Sequence, residues 1–150
     1  MKHVHEYKTK TSWVGNRGQG TADYRGYDRA HDITADDKEP ILCSSDPAFR
    51  GDKSRYNPEE LLVASLSGCH MLWYLHLCAA NGVVVTEYTD EAYGKMEENP
   101  DGSGQFSEVT LSPKVTVLDA GMIEKASSLH HKANEMCFIA RSVKFPVHHK

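Results

Sequence analysis

The sequence predicts an α+β fold in which antiparallel β-sheet covers long helices, in the order β-β-loop-α-β-β-α-β. Three observations lead to this fold class: alternating polarity near the start of the chain, two stretches with helical spacing, and a β-rich hairpin pattern between them. A chain of 150 residues can bury a core without a disulfide or metal, and this one shows no repeat or linker. We therefore expect a single domain over residues 1–150.

The N-terminal third is expected to hold two strands and a long loop. Residues 7–13 alternate in polarity, and residues 21–33 follow a glycine-rich turn, so the two segments are predicted to pair antiparallel. Prolines and glycines interrupt residues 34–56, which indicates a long loop of the kind that carries function.

The longest helix is predicted over residues 58–80. Asn57 suits the N-cap, Pro58 suits the first helical position, and Glu60 completes a capping-box pair with Asn57. Gly82 supplies the stop signal that helices favour just past their last turn.

The stretch from Leu61 to Ala80 in this helix carries no formally charged side chain. Three interpretations compete: a membrane span, a plain core helix, and a helix that delivers a buried, reactive thiol. Serines, a glycine and two histidines disfavour a span, and no basic flank or aromatic belt frames it. A domain of this size can hardly bury such a helix on every side, so we expect a second subunit to cover one side.

The C-terminal half is expected to hold a hairpin, a second helix and a final strand. The segments are a β-rich stretch (83–96), a turn cluster (99–104), an alternating apolar stretch (106–117), a helix over about 119–137 and the strand SVKFPV (142–147). The pair His148-His149 is interpreted as a polar tail.

Composition argues against several kinds of partner. The net charge is −4 and no basic run is interleaved with aromatics, so neither a nucleic-acid nor an anionic-membrane surface is expected. The first residues are polar and lack the apolar core of a secretory signal, which favours a cytoplasmic location.

The four cysteines are Cys43, Cys69, Cys78 and Cys137, and in a reducing cytoplasm they should be thiols. They lack the compact Cys or Cys/His spacing of a zinc site. Taken alone, Cys69 is either an inert buried hydrophobe or a reactive thiol, whereas Cys78, half a helical revolution away, should be structural. His70 is either a hydrogen-bonded core residue or a group that tunes the site. The role of Cys43 stays open.

Two motifs taken together resemble the cysteine motifs of the OsmC/Ohr family of peroxidases. The first, NPEELLVASLSGC, ends at Cys69, and the second, KANEMC, ends at Cys137. The order of strands and helices is similar to that family's plan, so the resemblance covers nearly the whole chain. The sequence departs from the family in having Phe138 where proline is usual and His70 where phenylalanine is common.

This resemblance implies a fold, an activity and a set of site residues. The fold would be an intertwined homodimer, with antiparallel β-sheets wrapped around two long central helices. The activity would be thiol-dependent reduction of organic hydroperoxides in oxidative stress defence. By position, Cys69 would attack the peroxide, Cys137 would be the resolving thiol, and Glu59 would be the carboxylate that holds an activating arginine.

The chemistry explains why an arginine is expected. A free cysteine has a pKa of about 8.5 and burial raises it, so a buried catalytic thiol needs a cation beside it. A guanidinium stays charged and can contact both sulfur and peroxide oxygen, and an acidic partner offsets the cost of burying it. Arg50, just before the central helix, is our first choice, and Arg25 and Arg17 stay open.

The expected catalytic cycle requires no metal, flavin or haem. A thiolate reduces the hydroperoxide to the alcohol and becomes a sulfenic acid, and the second thiol condenses with it to a disulfide. An external dithiol, supplied by a lipoylated or thioredoxin-like protein, then resets the enzyme. The alternative is a small-molecule-binding or stress-associated dimer that has the same fold without peroxide turnover.

Overall fold

Within residues 2–150, which this computed structural model describes, two long helices and eight β-strands form the α+β fold that the sequence predicts. The chain divides into two compact units, with the boundary between Leu61 and Leu62 in the first long helix. The expectation of one domain over residues 1–150 stays a prediction.

The first unit contains a three-stranded antiparallel sheet in the order β1-β2-β3. Its strands are β1 (Lys10–Trp13), β2 (His31–Thr34) and β3 (Ile41–Cys43). The predicted antiparallel pairing of the first two strands is confirmed, but the second strand covers only His31–Thr34, and residues 21–30 form turns and loop instead. The prediction of an unbroken loop over residues 34–56 is wrong, because β3 pairs with β2 and residues Pro47–Phe49 form a 3-10 helix. Strand β3 was missed because its three residues, between Pro40 and Ser44, are too few to show a period-two pattern.

Arg55 fixes the end of this unit just before the first helix. Its Nη1 donates to the backbone carbonyls of His31 at 3.3 Å and Cys43 at 3.2 Å, and lies 3.4 Å from Asp32 Oδ1. One side chain therefore ties β2 and β3 to the segment that leads into the helix.

Helix α1 (Pro58–Ala80) has the bounds that its sequence signals predict. Asn57 Oδ1 accepts from the Glu60 N–H at 2.8 Å, and Glu60 Oε1 accepts from the Asn57 N–H at 3.0 Å. This reciprocal capping box satisfies two otherwise free amide groups at the start of the helix. Gly82, with φ of 73°, adopts the left-handed conformation after the helix ends.

Only one side of α1 is buried within the chain. The buried side chains, spaced four residues apart, are Leu66, His70, Tyr74 and Cys78. Leu72, on another side, is 65% exposed. In the part of the chain that is described, α1 is the one helix long and apolar enough to cross a membrane, a property that core helices of globular proteins share.

The second unit contains the remaining strands and helix α2. These elements are β4 (Val85–Asp90), β5 (Tyr93–Glu98), β6 (Gly104–Leu111), β7 (Pro113–Val117), α2 (Ile123–Met136) and β8 (Val147–His149). The turn at residues 99–103 joins β5 and β6 as predicted, but each predicted hairpin arm is divided in two, because β4 pairs with β7 and β5 with β6. Asp90, at the end of β4, accepts through its Oδ1 from the Ser112 N–H at 2.6 Å. This hydrogen bond links the break between β4 and β5 to the break between β6 and β7.

The C-terminal segment differs from the prediction. Residues Ala140–Ser142 form a 3-10 helix, and the last strand is β8, parallel to β6, rather than residues 142–147. Pro146 has no N–H to donate, so regular pairing starts after it. The prediction of a polar tail at His148-His149 is wrong, because both residues belong to this strand and His149 is half-buried.

Candidate active site

Cys69 and Cys137 lie side by side at the junction of the two long helices. Cys69 is half-buried in the middle of α1, and Cys137 is buried at the C-terminal cap of α2. Burial raises the pKa of Cys137, and so does the neighbouring Cys69 thiol. Both residues are free thiols. The two cysteines predicted to form a disulfide during turnover are therefore neighbours in space, 68 positions apart in sequence.

The backbone after α2 orients the second thiol. The chain leaves the helix at Cys137, whose φ of −66° and ψ of 115° are extended. The Ala140 N–H donates to Cys137 Sγ at 3.4 Å, a contact that favours the thiolate and partly opposes the effect of burial on the Cys137 pKa. The reduced Cys137 side chain is therefore positioned by the backbone N–H of Ala140.

An aromatic rim accompanies the thiol pair. Trp73 lies one helical turn after Cys69, its ring centroid is 5.6 Å from that of Phe138, and its other edge-on neighbour is His76 at 5.7 Å. Phe138 follows Cys137 directly and is 66% exposed. A shallow cavity of about 270 Å³ is lined by Leu72, Trp73 and His76. The rim gives apolar groups a surface to contact beside the thiols.

Cys78 and His70 do not belong to this rim. Cys78 is buried beside Tyr74, and burial raises its pKa, as expected for a structural thiol. His70 is fully buried, and its Nε2 lies 3.1 Å from His130 Nδ1 in the core of the second unit. The interpretation of His70 as a hydrogen-bonded core residue is therefore the one that fits.

Glu59 and its expected arginine are not paired. Glu59 lies in the first turn of α1, and its Oε2 is buried without a hydrogen-bond partner. Over residues 2–150 neither Glu59 nor Arg50 takes part in an ion pair. Arg50 is exposed at the left-handed end of a 3-10 helix, with φ of 64°. A buried carboxylate oxygen without a donor is costly, so this side chain lacks a partner it needs.

The other arginines differ in the ion pairs and hydrogen bonds that they form. Arg17 pairs with Asp28 at 3.3 Å and donates to the Arg25 carbonyl at 3.0 Å. Arg25 is exposed. Sequence reasoning passed over Arg55, although it stands two residues before Asn57; its contacts with β2 and β3 show a structural use. Of the three candidate arginines, Arg50 is the nearest in sequence to α1, and over residues 2–150 it forms no ion pair.

No set of three histidine, cysteine, aspartate or glutamate side chains in the described part of the chain could hold a metal ion.

Comparisons with known proteins agree with this description. Residues 51–150 match the model of a protein family described as OsmC-like protein. An OsmC-like protein of unknown function from Vibrio cholerae is 31% identical, with a TM-score of 0.87 over 98% of this chain and 99% of that one. No curated protein matches the sequence.

More distant solved structures share the fold. An organic hydroperoxide resistance protein OsmC from Legionella pneumophila has a TM-score of 0.70 at 17% identity, over 99% of this chain and 96% of that one. The organic hydroperoxide resistance protein OhrB of Bacillus subtilis has a TM-score of 0.63 at 22% identity, over 96% and 98%.

Proposed function

Because the chain belongs to the OsmC-like protein family, we propose that it is a dithiol-dependent peroxidase that reduces organic hydroperoxides to alcohols in oxidative stress defence. The observation that carries this proposal is that Cys69 of α1 lies near enough to Cys137, at the end of α2, to raise the pKa of Cys137. Two adjacent thiols, one half-buried and one buried, are what a peroxidatic and resolving pair requires.

In the proposed cycle, the Cys69 thiolate attacks the distal oxygen of ROOH. The O–O bond breaks, sulfur becomes a sulfenic acid, and the alkoxide takes a proton to leave as ROH. Cys137 then attacks the sulfenic sulfur, which forms the Cys69–Cys137 disulfide and releases water. An external dithiol is oxidised as it reduces this disulfide to two thiols. Until the second step Cys137 stays protonated, since burial and its neighbour raise its pKa.

We assign activation of the nucleophile to an arginine held by Glu59, with Arg50 as the first candidate. The orphaned Oε2 of Glu59 supports this role, because a guanidinium would supply the missing donors. Arg50 is exposed and unpaired, so it is free to move. In this proposal the ion pair forms in the competent state of the enzyme and offsets the cost of burying both charges.

We also propose that the enzyme is a homodimer. On the side of α1 opposite its buried stripe, Leu72 is a large apolar side chain that the chain leaves 65% exposed. A second copy of the chain is the occupant that the family resemblance implies. Burial of this side would remove a long apolar helix from water.

The proposed setting is the cytoplasm, where thiols are kept reduced. The reductant would be a dithiol presented by a lipoylated or thioredoxin-like protein, and the aromatic rim of Trp73 and Phe138 suits hydroperoxides with apolar bodies.

A second candidate is a small-molecule-binding or stress-associated dimer without turnover. The observation that favours it is the absence of an ion pair at Glu59 over residues 2–150. The two candidates differ in whether substoichiometric protein consumes hydroperoxide when a dithiol is present.

The test is consumption of cumene hydroperoxide by catalytic amounts of protein with dihydrolipoamide as reductant. We expect multiple turnovers with the wild type, no turnover with Cys69→Ser, and nearly unchanged turnover with Cys78→Ser. Full activity of the Cys69→Ser variant would refute the mechanism, and no turnover by the wild type would favour the second candidate.

A further inference from the structure

The second unit contains a cavity of about 340 Å³, and neither Cys69 nor Cys137 lines it. One wall is apolar and comes from β7 and the start of α2: Pro113, Val115, Val117 and Ile123. The polar lining residues are Ser127, His130, His149 and Lys150. A concave site of roughly 300–1,000 Å³ with apolar walls and a few convergent polar groups is typical of small-molecule binding.

The polar groups rest on a pair of imidazoles, of which His70 is buried and His130 is half-buried. His70 Nε2 and His130 Nδ1 lie 3.1 Å apart with ring planes within 3°, and Tyr74 stacks on His130 with ring centroids 4.0 Å apart. His70 Nδ1 is buried without a partner, so it is best left without a hydrogen. The hydrogen then lies on His70 Nε2, His130 Nδ1 accepts it, and the free Nε2 of neutral His130 carries a hydrogen. His130 is therefore presented as a hydrogen-bond donor.

The one formally charged side chain among the lining residues of the cavity is that of Lys150. No carboxylate side chain is among these lining residues, and within residues 2–150 Lys150 forms no ion pair. Burial, and then the charge of His149, lower the pKa of His130 to about 4. Burial, and then His131 and His148, lower the pKa of His149. These bases repel one another's protons, and an anion among them would offset that repulsion.

We propose that this cavity binds an organic monocarboxylate, with the carboxylate at His130, His149 and Lys150 and its apolar body against β7 and α2. An inorganic anion would leave the apolar wall unused, and a neutral apolar molecule would leave the donors unpaired. The site is separate from the thiol pair, and the proposal does not depend on peroxidase activity.

The first test is calorimetric titration of the reduced, full-length protein with octanoate, 1-octanol and inorganic phosphate. We expect octanoate to bind saturably, one per chain, and at least about tenfold more tightly than either of the others. Equal affinity for 1-octanol would overturn the role of the donors, and equal affinity for phosphate would overturn the role of the apolar wall. No binding of octanoate would overturn the proposal.

Neighbouring histidines provide matched controls. His149→Asn should weaken octanoate binding about tenfold, whereas His148→Asn, at the adjacent and exposed position of β8, should leave it unchanged. Ser127→Trp, at an exposed position of α2, should block the cavity without touching the imidazole pair. Binding that survives Ser127→Trp, or that is lost equally in both histidine variants, would contradict the assignment.

Binding of a carboxylate at this site is predicted to be accompanied by proton uptake. His130 of α2 and His149 and Lys150 at the end of the chain line the cavity, and His70 of α1 contacts His130. His131 and His148 are exposed neighbours that act on His149, Asp90 of β4 acts on His70 and His130, and Glu108 of β6 lies 3.9 Å from His148. A bound anion raises the proton affinity of the imidazoles, so octanoate should bind more tightly at pH 6 than at pH 8, by up to about tenfold per pH unit. Affinity that is constant or rises with pH would contradict this.

Discussion

At the scale of single residues, burial and neighbours give three cysteines of the same type different chemistry. Cys78 is buried beside Tyr74, Cys137 is buried near a second sulfur, and Cys69 is half-buried. The half-buried Cys69 thiol is accessible to a peroxide, whereas the buried Cys137 thiol can react only with a sulfenic acid that forms beside it. Substitution of each of these cysteines is therefore expected to change activity in a different way.

The first prediction concerns the resolving thiol. Cys137→Ser should still reduce one equivalent of hydroperoxide, because Cys69 is intact, but the sulfenic acid should then persist. Trapping with dimedone followed by mass spectrometry would show one adduct at Cys69. Sustained turnover at the wild-type rate in this variant would contradict the assignment of Cys137.

The second prediction compares two adjacent carboxylates at the start of α1. Glu59→Gln removes the proposed anchor of the arginine, so kcat/KM should fall about tenfold or more, at least about 1.4 kcal/mol of transition-state stabilisation. Glu60→Gln removes the same charge but keeps the oxygen that accepts from the Asn57 N–H, so its kinetics and stability should change little. Equal losses in the two variants would indicate a general charge effect at the helix start instead.

At the scale of elements, the imidazole cluster joins α1, α2 and β8 through His70, His130 and His149. Burial and mutual repulsion lower the pKa of His70 and of His130 to about 4, below the ordinary value of 6.5. The unfolded chain therefore binds protons on these groups between pH 6.5 and 4 that the folded chain does not. Their contribution to stability is complete above pH 6.5 and is lost as the pH falls towards 4.

The third prediction follows from this linkage. The free energy of unfolding, from urea titrations, should fall by about 2 kcal/mol between pH 7 and pH 5, a figure reduced to allow for partial solvent screening. His130→Phe should show a shallower decrease, and His131→Gln, at the exposed neighbouring position, should follow the wild type. A stability that is flat over this interval would rule out the neutral imidazoles.

The elements also show what the sequence could and could not predict. Helix α1 was predicted at its correct bounds because Asn57, Pro58, Glu60 and Gly82 are local signals that act at those positions. The strand β8 was placed several residues too early, because its position depends on pairing with β6, a long-range partner. The divided arms of the hairpin likewise depend on β4 meeting β7, which no local pattern encodes.

The candidate site follows the same rule. Two cysteine motifs predicted the pair that the fold brings together, and the family match confirms the resemblance on which they rested. The histidine cluster was not predicted, because His70, His130 and His149 are far apart in sequence and meet only through three elements. Adjacent histidines at positions 130–131 and 148–149 gave no sign of which member turns inward.

At the scale of the whole molecule, α1 is the reason to expect two chains. Its stretch from Leu61 to Ala80 has no formal charge, yet Leu72 is 65% exposed in a single chain. The proposed homodimer would cover this side chain.

The fourth prediction tests this proposed dimer. Analytical ultracentrifugation should give twice the 16.8 kDa of one chain. Leu72→Glu would place an unpaired charge in the interface, so it should weaken the dimer by about two orders of magnitude, whereas Tyr7→Glu, at an exposed position outside α1, should not. A monomeric wild type at micromolar concentration, or equal effects of both substitutions, would contradict this interface.

The measurement that tests the central claim most directly is intact-protein mass spectrometry after one equivalent of cumene hydroperoxide, followed by peptide mapping. The account predicts that each chain loses two hydrogens and that the new disulfide joins Cys69 to Cys137. Unchanged thiols, or a disulfide that includes Cys43 or Cys78, would contradict it.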